Sequence, residues 1–320
     1  MAAASRKGFF SGRTAVIAVP YLWLAIFFIL PFVLVLKISL SETDIAIPPY
    51  TPTFPLGETW EAIKGFDFGA AWAAVSDYLS QLSFDNFTLL TQDALYWKAY
   101  LSSLWIAAVS TVLLLLVGYP IAYGMARAPR TLRPTLLMLV ILPFWTSFLI
   151  RVYAWIGILK PEGLLNLALA KIGLVDMANP LQILNTDIAI YIGIVYSYLP
   201  FMVLPLYSAL EKMDETLLEA AADLGCRPVK AFWLVTFPLS LPGVVAGCML
   251  CFIPAVGEFV IPDLLGGSST LMIGKTLWDV FNLNRDWPAA SAVAVVLLVL
   301  LVVPIVFYQH VQTKQLEAGR

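Results

Sequence analysis

Residues 15–36 form an unbroken apolar run, the feature that most restricts what this chain can become. A membrane helix needs about 20 mostly apolar residues, and uncharged stretches of that order recur along the sequence. Six spans are expected: 15–39, one within 99–126, 134–159 interrupted by Arg151, 188–210, 241–262 interrupted by Glu258, and 287–309. Composition agrees, since only 12% of the residues are charged where a soluble domain carries roughly 25%. The expected fold class is therefore all-α, a polytopic membrane protein with six transmembrane helices. Signal-peptide apolar cores run about 7–15 residues; the first run is longer and lacks a small-residue cleavage site, so it reads as a retained helix.

Several function classes drop out. The net charge of −2 offers no basic surface for nucleic acid, and the single histidine, His310, has no partner for a metal or catalytic cluster. Three cysteines cannot make a disulfide scaffold. Cys248 and Cys251 form a C-x-x-C inside an apolar span, where they read as two small residues one helical turn apart. No hydrolase, redox or transferase constellation is visible, and no phosphate-binding Gly-x-x-x-x-Gly-Lys loop. The chain is expected to be no enzyme and to carry no catalytic residue, metal or cofactor. If ATP drives it, another chain binds the nucleotide.

Lys and Arg mark the cytosolic side of a membrane protein. With the N-terminus inside, the inner segments hold Arg6, Lys7, Arg13, Arg127, Arg130, Arg133, Lys212, Arg227, Lys230, Lys314 and Arg320. The outer segments hold Lys64, Lys98, Lys160, Lys171, Lys275 and Arg285. The expected organisation is a cytosolic segment 1–14, a permease domain 15–310 and a cytosolic tail 311–320. Within the domain lie an outer loop 41–98 and a cytosolic loop 211–240. The outer loop is acidic, with eight Asp or Glu against two Lys. It opens on the proline-stiffened Ile47-Pro48-Pro49-Tyr50-Thr51-Pro52. Then Phe68, Ala71, Trp72, Val75, Tyr78, Leu79 and Leu82 recur at helical spacing. They predict an amphipathic helix lying on the outer membrane surface or on the bundle, either meeting an external partner or acting as a packed lid.

The 211–240 loop predicts two short helices with no lipid to pack against, hence a docking surface for a soluble partner. Asp214 or Thr216 is a candidate cap, with Thr216–Glu219 in capping-box spacing. Gly225 suits the left-handed residue that ends the first helix. Pro228 suits the first turn of a second helix running to about Phe237. Ala220, Ala221 and Ala222 leave one face shallow, and Glu219 and Asp223, one turn apart, offer hydrogen bonds to a partner.

Glu258 and Arg151 fall inside expected spans, where ionisable residues are costly and face a bundle interior or a wet cavity. Each lies about 17 residues into its helix, so at 1.5 Å per residue both sit roughly 25 Å along. At equal depth they either pair as a buried ion bridge, or Glu258 faces a cavity and attracts a cationic solute. Trp145, Tyr153, Trp155 and Tyr198 are aromatic candidates for the same solute path, since ring faces attract amine cations; packing and interfacial belts are their ordinary roles. Gly243 and Gly247 permit close helix contact, and Pro254 is expected to kink its helix.

The 219–238 spacing resembles the EAA loop of ABC-importer permeases: Glu219-Ala220-Ala221, three residues, Gly225, nine residues, then Val235-Thr236-Phe237-Pro238. Further stretches resemble the polyamine branch of that family, most closely its PotH-type putrescine permeases. They are Ala46-Ile47-Pro48-Pro49-Tyr50-Thr51, the run from Ile141 to Trp155, Tyr191-Ile192-Gly193-Ile194-Val195-Tyr196, the run from Phe252 to Pro262, and Asn284-Arg285-Asp286-Trp287-Pro288. The resemblance extends from about residue 15 to 310 and departs over roughly 55–85, where the outer loop is longer. It implies a MetI-like type I permease fold in the bacterial inner membrane. It also implies a second homologous permease, two copies of a cytosolic ABC ATPase, and a periplasmic polyamine-binding protein delivering putrescine. An acidic outer face and a lone intramembrane carboxylate suit a protonated diamine. Spermidine, another small organic cation or a metal chelate in the same class is an alternative. An ion-coupled secondary transporter is another, but it needs no ATPase dock, and many such folds carry inverted repeats, of which there is none here. A membrane enzyme would need paired carboxylates or a histidine cluster in its spans.

Overall fold

The structure, a computed structural model, describes residues 12–267 and 270–318. Arg6, Lys7 and Arg320, and with them most of the expected N-terminal segment, lie outside the described residues. Two compact units emerge, one of residues up to 93 with those from 277 onward, the other of 94–276.

In the first unit, α1 (Val16–Ser39) is apolar up to Lys37 in its last turn. A π turn at Ala25–Ile29 interrupts it, with the Leu30 N–H reaching the Ala25 carbonyl. Pro31 comes directly after. A proline lacks the amide donor and collides with the carbonyl four residues back; the wider turn before it relieves that clash. The chain then forms a two-strand hairpin, β1 (Glu42–Thr43) antiparallel to β2 (Tyr50–Thr51), where an extended proline-rich stretch was expected. Three helices come next: α2 (Leu56–Lys64), α3 (Phe68–Ser80) and α4 (Asp85–Gln92). Asp67 caps α3, accepting the Ala70 N–H at 2.9 Å.

The second unit is built on three long helices, α5 (Ala94–Arg127), α9 (Asp187–Glu211) and α11 (Pro228–Val256). Between α5 and α9 lie α6 (Arg133–Ile141), α7 (Phe148–Leu159) and α8 (Leu164–Lys171). Between α9 and α11 lies the short α10 (Thr216–Asp223). After α11 come α12 (Val260–Leu265) and α13 (Ile273–Asn282), and the division between the units falls within α13. The last helix, α14 (Trp287–Ala318), belongs to the first unit. Asp286 caps it, accepting the Ala289 N–H at 3.0 Å and the Thr43 hydroxyl at 2.6 Å.

Among the described residues four helices are long and apolar enough to span a membrane, α6 with α7–α8 makes a fifth as a bent pair, and Trp287–Val303 is a shorter apolar helix where the sixth was expected. Two spans differ from expectation. The third is not straight: α6 and α7 meet at an 88° bend. Pro143 starts a 3-10 turn at Leu142–Trp145, and Thr146 and Ser147 are extended, with the Thr146 hydroxyl bound to the Pro143 carbonyl at 2.8 Å. The fifth starts earlier and stops sooner than 241–262. The helix predicted to end near Phe237 continues as α11 to Val256, through a π turn at Phe232–Thr236 that again precedes a proline, Pro238. The helix runs through Pro254 and ends two residues later.

Between helices in lipid there is no apolar gain in leaving the solvent, so close packing must hold them. Here glycines create that closeness. A Cβ on Gly118 of α5 would lie 2.9 Å from Met202 Cγ of α9, and one on Gly247 of α11 would lie 2.9 Å from Met202 Sδ. Met202, fully buried, thus fills notches on both neighbours. At Gly243 a Cβ would meet the Ala209 Cβ at 2.6 Å and the Pro205 carbonyl oxygen at 2.8 Å. The expected small-residue contact is present. Two buried polar pairs add hydrogen bonds: Tyr119 hydroxyl to Ser240 Oγ at 2.8 Å, and the Ile273 N–H to Ser103 Oγ at 2.7 Å.

Gly243→Ala and Gly124→Ala form a matched pair. Each change favours a helix by about 1 kcal/mol, but nothing lies within 4 Å of a Cβ at Gly124. Overpacking typically costs about 1–3 kcal/mol. Gly243→Ala should therefore lower the melting temperature in detergent, while Gly124→Ala leaves it unchanged or raises it. Equal melting of the two variants would contradict this packing.

Candidate functional site

Two places collect the candidate residues. The first is the turn between α10 and α11. Asp214 Oδ1 accepts the Thr216 N–H at 3.0 Å. Thr216 is already helical, so Asp214 supplies the cap and the Thr216–Glu219 capping box is not formed. Hydrogen bonding from Thr216, through its backbone and then its side chain, holds the Asp214 carboxyl below the usual aspartate range. The ionised, capping form therefore persists as pH falls, until pH passes through that lowered pKa. At the other end, the Cys226 N–H reaches the Ala221 carbonyl at 2.9 Å and the Gly225 N–H reaches Ala222 at 2.8 Å. Gly225 has φ +76°. This is a Schellman close, in which the glycine's left-handed backbone lets two orphan carbonyls find donors. Arg227 is extended and Pro228 opens α11.

The helix so terminated buries none of its residues. Glu219, Ala220, Asp223 and Gly225 are exposed and Ala221 is half-buried, while Leu224 beside them is 88% exposed. Ion pairs tether the flanks, Arg127 to Glu215 at 3.1 Å and Arg133 to Glu211 at 3.4 Å. A cavity of about 200 Å³ lies beneath the turn, lined among others by Leu218, Ala222, Pro228 and Phe232. Pro238 is exposed but lies along α11, beyond the π turn, and belongs to the helix rather than to the exposed turn.

The second place is the break between α11 and α12. Glu258 sits in it, not inside a helix, and is 8% exposed. Its Oε1 accepts the N–H groups of Val260 and Ile261 at 3.0 and 3.4 Å, and its Oε2 accepts the Tyr198 hydroxyl at 2.6 Å. The carboxylate thus closes the start of α12 and ties it to α9. Cys251 donates its thiol to the Tyr198 carbonyl at 3.6 Å, an ordinary packing role for the C-x-x-C.

The ion bridge is not formed. Among the described residues neither Glu258 nor Arg151 takes part in an ion pair. The shared depth expected for the two assumed straight helices, and the 88° bend before α7 removes that premise. Arg151, 9% exposed, holds its guanidinium 4.8 Å from the Phe144 ring and 5.7 Å from the Phe148 ring. Its Nε and Nη1 are buried without a hydrogen-bond partner. The aromatic candidates do not converge. Tyr198 reaches Glu258, Trp155 packs edge-on against Tyr196 at 5.4 Å, and Trp145 and Tyr153 are exposed. Phe144 and Phe148 were missed, although Phe148 and Arg151 stand at helical i, i+3 spacing.

Residues 118–316 match the family described as binding-protein-dependent transport system inner membrane component. The chain is 39% identical over 292 residues to the spermidine/putrescine transport system permease protein PotB of Haemophilus influenzae, covering 91% of each. It is 43% identical over 224 residues to PotB of Escherichia coli, covering 70% of this chain and 80% of the relative. The crystal structure of a bacterial ABC transporter involved in the import of the acidic polysaccharide alginate contains a chain of the same fold. The two superpose with TM-score 0.62 at 17% identity, over 95% of this chain and 96% of that one. This chain has the MetI-like fold of ABC-importer permeases and belongs to the family of inner membrane components of binding-protein-dependent transport systems.

Proposed function

We propose that this chain is the transmembrane permease subunit of an ATP-driven importer for polyamines, with putrescine and spermidine as its solutes. The observation that carries the reading is the 39% identity to a spermidine/putrescine permease across 91% of both chains. The motif resemblance pointed first to putrescine; the relatives' names cover both amines, and the proposal takes both. Both termini face the cytosol, as does the 211–240 loop. The α10–α11 turn receives a cytosolic ABC ATPase, present in two copies. A second homologous permease completes the pore, and a periplasmic binding protein delivers the amine.

Support for the dock comes from its form. A helix that buries nothing yet is closed at both ends by specific hydrogen bonds is rigid without packing, which suits a surface that another protein covers. Because α10 leads through one turn into α11, and α11 ends at the Glu258 break, displacement at the dock has a continuous helix to move. At that break the carboxylate has about four lone-pair sites. The Tyr198 hydroxyl and two backbone N–H groups take three, leaving one for an ammonium.

Gly225→Val places a β-branched residue at positive φ, costing about 1 kcal/mol or more, whereas Gly225→Asn tolerates that backbone. The ATPase should co-purify poorly with the first variant and normally with the second. Equal recovery of ATPase from both would sink the assignment.

Glu258→Gln removes the charge and keeps an oxygen for the Val260 and Ile261 amides, while its NH2 faces the Tyr198 hydroxyl, which can accept. Amine uptake by the assembled transporter should fall about tenfold or more, the worth of a hydrogen bond to a charged group, with assembly intact. Adding Arg151→Gln should not restore it, since the two residues are not paired. Normal uptake by Glu258→Gln, or recovery in the double variant, would remove Glu258 from the solute path.

A further inference from the structure

The helical hairpin α2–α3 carries two apolar faces and uses only one. Ala71 and Tyr78 of α3 are buried, and the Tyr78 ring packs edge-on to Phe54 at 5.2 Å. The other face is bare. On α2 it consists of Leu56, Trp60 and Ile63, at i, i+4 and i+7; on α3 it is Phe68, Trp72 and Leu79, at i, i+4 and i+11. All six are exposed, Trp60 by 58% and Trp72 by 70%. Glu58, Glu61 and Asp77 fall on the opposite side of their helices. Soluble surfaces rarely leave contiguous apolar patches this large in water.

The height of the hairpin is set by the end of the first span. Lys37, in the last turn of α1, donates to the Pro52 carbonyl at 2.9 Å. Its ammonium lies 4.2 Å from the Tyr50 ring and 5.6 Å from the Tyr78 ring. Downstream, the Ser83 N–H reaches the Leu40 carbonyl at 2.8 Å, and the Asn86 amide donates to the Ser39 and Ser41 carbonyls at 2.9 and 2.7 Å. The chain is thus pinned before, within and after the hairpin to the residues where α1 leaves the membrane. At that level the surrounding medium is the headgroup region, where tryptophan is enriched and a helix with one apolar face lies in the plane of the membrane.

We infer that the bare face of α2–α3 is a membrane-interface anchor, buried among lipid headgroups and upper acyl chains beside the end of the first span. A binding protein that docks and leaves each cycle would expose six large apolar side chains to water whenever it left; lipid covers them throughout. The hairpin's net negative charge makes apolar insertion, not attraction to anionic headgroups, the source of binding. The inference rests on the membrane placement of α1 and not on the solute.

Nitroxides at positions 60, 72 and 77 test this in the full chain assembled in nanodiscs, with Cys226, Cys248 and Cys251 replaced by serine. Labels replacing Trp60 and Trp72 should collide several-fold more with oxygen than with a nickel chelate, and the label replacing Asp77, exposed on the opposite side of the helix, should show the reverse. Nickel access at all three sites would place the face in water and overturn the inference. Shielding of 60 and 72 from both reagents, or shielding only on adding the binding protein, would mean that protein covers the face, and would overturn it equally. Cys251 is buried, so a second measurement keeps the native cysteines. Brominated lipid should quench less emission in Trp60→Phe and Trp72→Phe than in the parent chain; loss of iodide-quenched emission in those variants instead would refute the anchor.

Discussion

Met202, held between the notches of Gly118 and Gly247, is the contact on which the second unit depends. Between helices in water, added apolar area can offset some of a poor fit; between lipid-embedded helices only fit counts. α9 is therefore the beam of this unit, with α5 on one side and α11 on the other. Its remaining roles derive from that position. It carries Tyr198, which reaches across to Glu258, and it leads at its C-terminal end into the α10 turn. The third notch, at Gly243 against Pro205 and Ala209, fixes the middle of α11 against the end of α9 that leads into that turn.

Prolines set the irregularities, and in two ways. Pro31 and Pro238 stay inside long helices, each after a π turn, as Pro120, Pro200 and Pro205 do without one. Pro143 does not; the chain leaves the helix within three residues and turns through 88°. There the Thr146 hydroxyl and amide both reach the Pro143 carbonyl, and the backbone steps out extended.

Much of this was legible in the sequence where one signal acted alone. Apolar length located α9 to within a residue at each end, and Gly225 was readable because few residues but glycine close a helix at positive φ. Legibility failed where signals competed. Thr216 and Asp214 both offered a cap, and only geometry chose Asp214. The helix start at Pro228 was readable, but the proline at 238 suggested a stop near Phe237 and hid the fact that one helix runs on to Val256. The Glu258–Arg151 pairing came from counting rise along helices assumed straight; the two breaks, at Thr146–Ser147 and at 257–259, invalidate the count. The outer stripe 68–82 was seen, its helix ending at Ser80, but its division into a packed face and a bare one depends on Lys37 and Phe54, distant in sequence.

An exposed, hydrogen-bonded turn is joined to a buried carboxylate through one helix, and the proposed importer uses both, with its energy source on another chain. The most direct test is ATP hydrolysis by the transporter assembled in nanodiscs with its binding protein. Putrescine- or spermidine-loaded binding protein should stimulate hydrolysis, and the unloaded protein should stimulate far less. Amine accumulation driven by an ion gradient without ATP, or hydrolysis indifferent to every amine, would contradict it.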